Sequence, residues 1–121
     1  MSPLAIQLVH GMLLLGQEIA SFSGATLHVY LEDVGRVDAP SLTLAAVSIP
    51  NIRHQAGRES RLDFTLRGGP VDTAAHYSVR AHVDLASNGR LDPGDLITVQ
   101  SYPVLTFGHP DRVVLRVKEI E

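Results

Sequence analysis

The richest run of potential ligand atoms is Asp84-Leu85-Ala86-Ser87-Asn88-Gly89-Arg90-Leu91-Asp92-Pro93-Gly94-Asp95. Counted from Asp84, it places Asn88 fifth, Gly89 sixth, Leu91 eighth, Asp92 ninth and Asp95 twelfth. A hard cation such as calcium takes carboxylate and carbonyl oxygens at alternating positions, with a glycine where the chain turns sharply. The predicted metal residues are therefore Asp84, Asn88, Asp92 and Asp95, and calcium is the cofactor they would take. Binding is expected to be weak, because Ala86 offers no ligand at the third position and Asp95 is shorter than a bidentate glutamate. The same residues also spell an ordinary hairpin. Asn88-Gly89 supplies left-handed backbone angles and Pro93-Gly94 a second turn.

Histidines are the next candidates. His28, His76 and His82 fall on the polar sides of two alternating segments, near Glu32, Arg80 and Asp84. Were those segments adjacent strands, two imidazoles and a carboxylate could make a zinc site. His76 and His82 cannot share an ion, since six residues of strand span about 20 Å. No Gly-x-Ser-x-Gly elbow, phosphate loop or His-Glu-x-x-His motif occurs, and Gly68-Gly69-Pro70 has no lysine after it, so it reads as a turn. Glu32 and Asp33 are neighbours on a strand and point to opposite faces. The expectation is a protein that is not an enzyme.

One string is set apart by its proline. In Ser101-Tyr102-Pro103-Val104-Leu105-Thr106, Pro103 cannot donate to a ladder and belongs at an edge or kink. Tyr102 and Pro103 are the predicted partner-binding residues, at an edge able to receive a partner's strand. The competing reading has Tyr102 packing over the end of the core, with Pro103 blunting the edge.

These residues must be positioned by strands, because the dominant pattern has period two. Ala25, Leu27, Val29 and Leu31 alternate with Thr26, His28, Tyr30 and Glu32. Ala75, Tyr77, Val79, Ala81 and Val83 alternate with His76, Ser78, Arg80, His82 and Asp84, the second set expected to face water. Leu62, Phe64 and Leu66 form a third inner row, and Val113, Leu115 and Val117 a fourth. Ile6 to Leu15 is apolar on both faces, with a bulge expected at Gly11. Leu42 to Ile49 changes phase near Ala45-Ala46, and Leu96 to Thr106 is strand-like around Pro103. Turns are predicted at Val37 to Pro40, Arg67 to Pro70, Ser87 to Gly89 and Phe107 to Pro110. About seven strands at this spacing predict an all-β, two-sheet antiparallel β-sandwich, immunoglobulin-like or transthyretin-like, as a single domain over residues 1–121.

Composition agrees with that frame and removes several functions. The 121 residues are 45% hydrophobic and 19% charged, which excludes a disordered polar segment. A net charge of −3 gives phosphate neutralisation no support, so no nucleic-acid partner is expected. Aromatic residues are 5% with no tryptophan, against a stacking platform for sugars or bases. Absence of cysteine removes disulfides, thiolate metal sites and cysteine nucleophiles together. The apolar stretch from Leu4 to Leu15 is too short to span a bilayer and has no basic residues before it, so neither a membrane span nor a signal peptide is expected there.

Leu31-Glu32-Asp33-Val34, Asp38-Ala39-Pro40, Tyr77-Ser78-Val79-Arg80-Ala81, Asn88-Gly89-Arg90-Leu91, Gly94-Asp95 and, above all, Ser101 to Thr106 occur in one order. In that order and wording the sequence resembles a family of small bacterial lipoprotein domains. The family includes the type III secretion lipoprotein chaperones, or secretin pilots, and many other outer-membrane lipoproteins. The resemblance runs from Gly24 to Ile120 and implies a β-sandwich with a non-enzymatic, protein-binding role. Its sharpest implication is an envelope partner such as a secretin, with a periplasmic or outer-membrane location. A chain complete as written, with no lipid-bearing cysteine, would instead be expected in the cytoplasm.

Overall fold

The computed structural model describes residues 6–35 and 38–121. Within them the regular elements are strands: β1 (Ile6–Leu15), β2 (Phe22–Asp33), β3 (Leu42–His54), β4 (Ser60–Gly68), β5 (Tyr77–Asp84), β6 (Leu96–Ile97), β7 (Pro103–Val104), β8 (Arg112–Arg116) and β9 (Lys118–Glu119). Two sheets face each other. One has the order β4-β1-β8, and the other β3-β2-β5-β6-β9 with β7 also paired to β5. The expected two-sheet β-sandwich is thus the fold. All pairings are antiparallel except β1 with β8, which run parallel from His10↔Arg112 to Leu14↔Arg116. Among the described residues no helix is long and apolar enough to cross a membrane. Leu4 and Val37, which belong to two of the sequence expectations, lie outside the described residues.

The inner rows are the ones alternation predicts. Leu27, Val29 and Leu31 of β2 and Val79, Ala81 and Val83 of β5 are buried, and across the core they meet Leu13, Leu15, Leu66 and Leu115. Branched aliphatics fill this space with few rings, which is why an aromatic-poor chain can still close a core. Phe64 is the main exception. It pairs directly with Gly11, and a methyl group on Gly11 would collide with its ring. Gly11 therefore does not bulge, contrary to expectation: it stays in register and leaves room for the ring. The register shift of β1 lies at Leu8, between Gln7↔Arg67 and Val9↔Leu66.

Irregularities elsewhere are close to those expected. The phase change of β3 comes from Leu44, which is extra between Leu31↔Ala45 and Glu32↔Thr43. The segment Leu96–Thr106 is two short strands and not one, both laid along β5, at His82↔Ile97 and at Ser78↔Pro103. Pro103 sits where a missing N–H is harmless. The C-terminal run also divides. After β8 the chain passes buried Val117, leaves the first sheet and joins the second as β9.

Candidate functional site

Residues of the 84–95 loop turn inward. Asp84 and Asp95 are both buried, at 0% and 1% exposure, and so is His82 at 4%. The expectation that His82 and Asp84 face water is overturned. Both stand on the outer face of β5, but the loop folds back over that face and carries Asp95 onto it. His82 Nε2 lies 2.7 Å from Asp95 Oδ2. Asp95 also accepts the N–H groups of Leu85 and Asp92, at 3.0 and 3.2 Å.

β2 and β5 are neighbours, so His28 lies directly opposite His82, with ring centroids 5.5 Å apart. His28 Nε2 is 3.1 Å from Asp84 Oδ2, and its Nδ1 is 2.8 Å from the Ser48 hydroxyl. Asp84 accepts N–H groups from Gly89 at 2.8 Å and Asn88 at 3.2 Å. Burial alone would raise its pKa. The Gly89 amide, the His28 contact, the Asn88 amide and the charge of nearby His82 together outweigh burial and hold it below the ordinary aspartate value. His76 is remote from this group and stacks on Phe107, centroid to centroid 4.2 Å.

Of the four residues predicted to bind metal, Asp84 and Asp95 come together with His82. One ligand atom from each of the three lies within 4.8 Å of the others. Asn88 and Asp92 are paired with one another instead, Asn88 Nδ2 donating to Asp92 Oδ2 at 2.6 Å. The sequence places His82 near Asp84 as a zinc candidate, but on a face expected to be wet; only the loop's return covers it and brings Asp95 to it.

Tyr102 spans the two sheets. Its N–H donates to the Ser78 hydroxyl and its carbonyl accepts from Val79, both on β5. Its phenol reaches the opposite sheet, accepting from Arg116 N at 2.9 Å and donating to Arg116 O at 3.4 Å. Pro103, beside it, is exposed on β7. Tyr102 also lines a cleft of about 220 Å³ with Leu14, Ile19 and Val99. A larger cleft of about 500 Å³ adjoins it, sharing Ile19, Val117 and Lys118, and is further lined by Phe22, Leu85 and Leu96. Together they form a groove on the side where β8 passes into β9. Sequence reading missed Ile19 and gave Val117 only a place in an inner row, because a groove between sheets leaves no trace in the alternation of either.

This arrangement offers an apolar groove, a tyrosine tie across it and a buried His–Asp network beside it. No curated protein was found that matches the chain. Among solved structures it is similar to an alternative pilotin from the type II secretion system of Vibrio cholerae, with 25% identity and a TM-score of 0.73, over 93% of this chain and 96% of that one. The family model for the type III secretion system lipoprotein chaperone (YscW) matches residues 5–117. By that match, which takes in every strand from β1 to β8, the chain belongs to the type III secretion system lipoprotein chaperone family.

Proposed function

We propose that this protein is a non-catalytic pilot that binds a secretin in the bacterial envelope, and that the groove beside Ile19 and Val117 receives the partner. The observation that carries the reading is the groove itself: a concave surface of about 500 Å³ floored by Ile19, Phe22, Leu85, Leu96 and Val117, with Glu18, Lys118 and Glu119 at its rim. Apolar floors with charged rims suit a peptide segment that buries a few apolar side chains and is oriented by charge. Family membership and the pilotin likeness support a secretin as that partner.

Overlapping peptides covering the secretin of the source organism would be titrated against the purified protein. At least one peptide is expected to bind, and to compete with longer secretin fragments. Binding by none of them, or binding that ignores charge reversal and apolar loss in the groove, would overturn the proposal. Cell fractionation tests the location independently, with recovery in the envelope expected.

A further inference from the structure

We propose that His82, Asp84 and Asp95, with His28 as the fourth ligand, form a buried site for a divalent transition metal of the zinc type. Three elements converge to make it: β2 gives His28, β5 gives His82 and Asp84, and the returning loop gives Asp95. Donor atoms of His82, Asp84 and Asp95 already lie within 4.8 Å of one another, and His28 Nε2 is 3.1 Å from Asp84 Oδ2. Around a tetrahedral zinc with bonds of about 2.0–2.1 Å, neighbouring donors sit about 3.3 Å apart. Small side-chain rotations suffice for the three clustered donors, and His28, which contacts Asp84 alone, would have to swing further in to complete the set.

The chemistry of the donors favours nitrogen-accepting metals over calcium. Two imidazoles and two carboxylates are a mixed nitrogen and oxygen set of the kind zinc accepts, whereas calcium takes oxygen alone. Asn88 and Asp92, which an oxygen-only site needs, are engaged with each other at 2.6 Å. Two carboxylates buried side by side also present a double negative charge that a divalent ion would neutralise. His28 is held from behind by Ser48 at 2.8 Å. When its Nδ1 proton points to that hydroxyl, its Nε2 lone pair faces a carboxylate oxygen, and a cation between them removes the repulsion. On binding, each imidazole that carries an Nε2 proton releases it to solvent, and the metal takes its place.

The site lies behind the binding groove. Leu85 lines the groove and donates to Asp95 at 3.0 Å, so an ion on Asp95 would stiffen the groove wall.

Protein stripped with a chelator and dialysed would be titrated calorimetrically with Zn²⁺ and, separately, with Ca²⁺. Binding of about one Zn²⁺ is expected, with a raised thermal midpoint and little response to Ca²⁺. Asp95→Asn and His82→Gln should abolish the Zn²⁺ response. Since both residues also anchor the loop, the better test is His28→Gln, whose side chain is 17% exposed. It should retain the wild-type circular dichroism and lose about tenfold or more in Zn²⁺ affinity. Co²⁺ should give the intense visible absorption of a four-coordinate site. Response to Ca²⁺ alone would overturn the proposal in favour of the loop oxygens. Response to neither ion, or Zn²⁺ binding that survives His28→Gln and Asp95→Asn, would overturn it outright.

Discussion

The phenol oxygen of Tyr102 stands 2.9 Å from the amide nitrogen of Arg116 and 3.4 Å from its carbonyl oxygen. One hydroxyl thus satisfies both backbone groups that an edge strand would otherwise offer at that residue. Tyr102 is itself bonded to β5 through its own main chain, so this contact joins the two sheets on their groove side. Tyr102→Phe keeps the ring and removes the tie. Its unfolding free energy is expected to fall by about 1 kcal/mol, read from urea denaturation followed by circular dichroism. An unchanged midpoint would mean that water replaces the hydroxyl at no cost.

Ile19 is shared by both parts of the groove and lies half-buried on the turn between β1 and β2. Ile19→Asp should weaken binding of a secretin peptide by about tenfold or more, equivalent to roughly 1.4 kcal/mol. The thermal midpoint should move little, because the side chain is not part of the fully buried core. Equal affinities for the two proteins would place the partner elsewhere.

Gly11 and Phe64 are expected to behave as one unit. Gly11→Ala drives a methyl group into the Phe64 ring, and overpacking of this kind costs about 1–3 kcal/mol. Combining it with Phe64→Leu should cost less than the sum of the two single changes, since the second relieves the first. Strict additivity in a denaturation cycle would contradict the contact.

Asp84 predicts an acid limit to stability. Its native pKa is lowered relative to the unfolded chain, so its contribution is fully present above the ordinary aspartate range. It is lost as pH falls through that range toward the lower native value. The groups facing it are His28 from β2, His82 from β5, the carboxylate of Asp95 from the returning loop and the amides of Asn88 and Gly89. In chelator-treated protein, denaturation midpoints should drop below that range for the wild type. Asp84→Asn should start lower and show a shallower drop. Parallel curves would assign the acid sensitivity to other carboxylates.

Much of the fold can be read from alternation, because a strand's inner row reports directly on burial. Leu27, Val29 and Leu31, or Val79, Ala81 and Val83, could hardly face elsewhere. Outer rows are different. They are polar whether they meet water or a folded-back loop, so His82 and Asp84 look no different in sequence from exposed Arg80. Asp84 and Asp95 were legible as the ends of a loop motif, and His28 and His82 as histidines on two strands; that all four meet depended on β2 and β5 being neighbours and on the loop folding back. Gly11 shows the same limit: a glycine in a strand signals a missing side chain, and only the partner strand says whether a bulge or a ring explains it. Pairing of β1 with β8 depends on residues about a hundred positions apart, and the passage of the chain between sheets at Val117 on the pairing of β9 with β6, which no local pattern announces.

The parallel register of β1 and β8 has a mechanical side. A pull applied at the start of β1 and the end of β8 draws the two strands in opposite directions along their length. The register pairs from His10↔Arg112 to Leu14↔Arg116 would then be loaded in shear, all together, instead of being unzipped one at a time. Forced unfolding is governed by the unfolding barrier. A molecule tethered at one end and tugged by cargo at the other would meet that resistance before either sheet was peeled open.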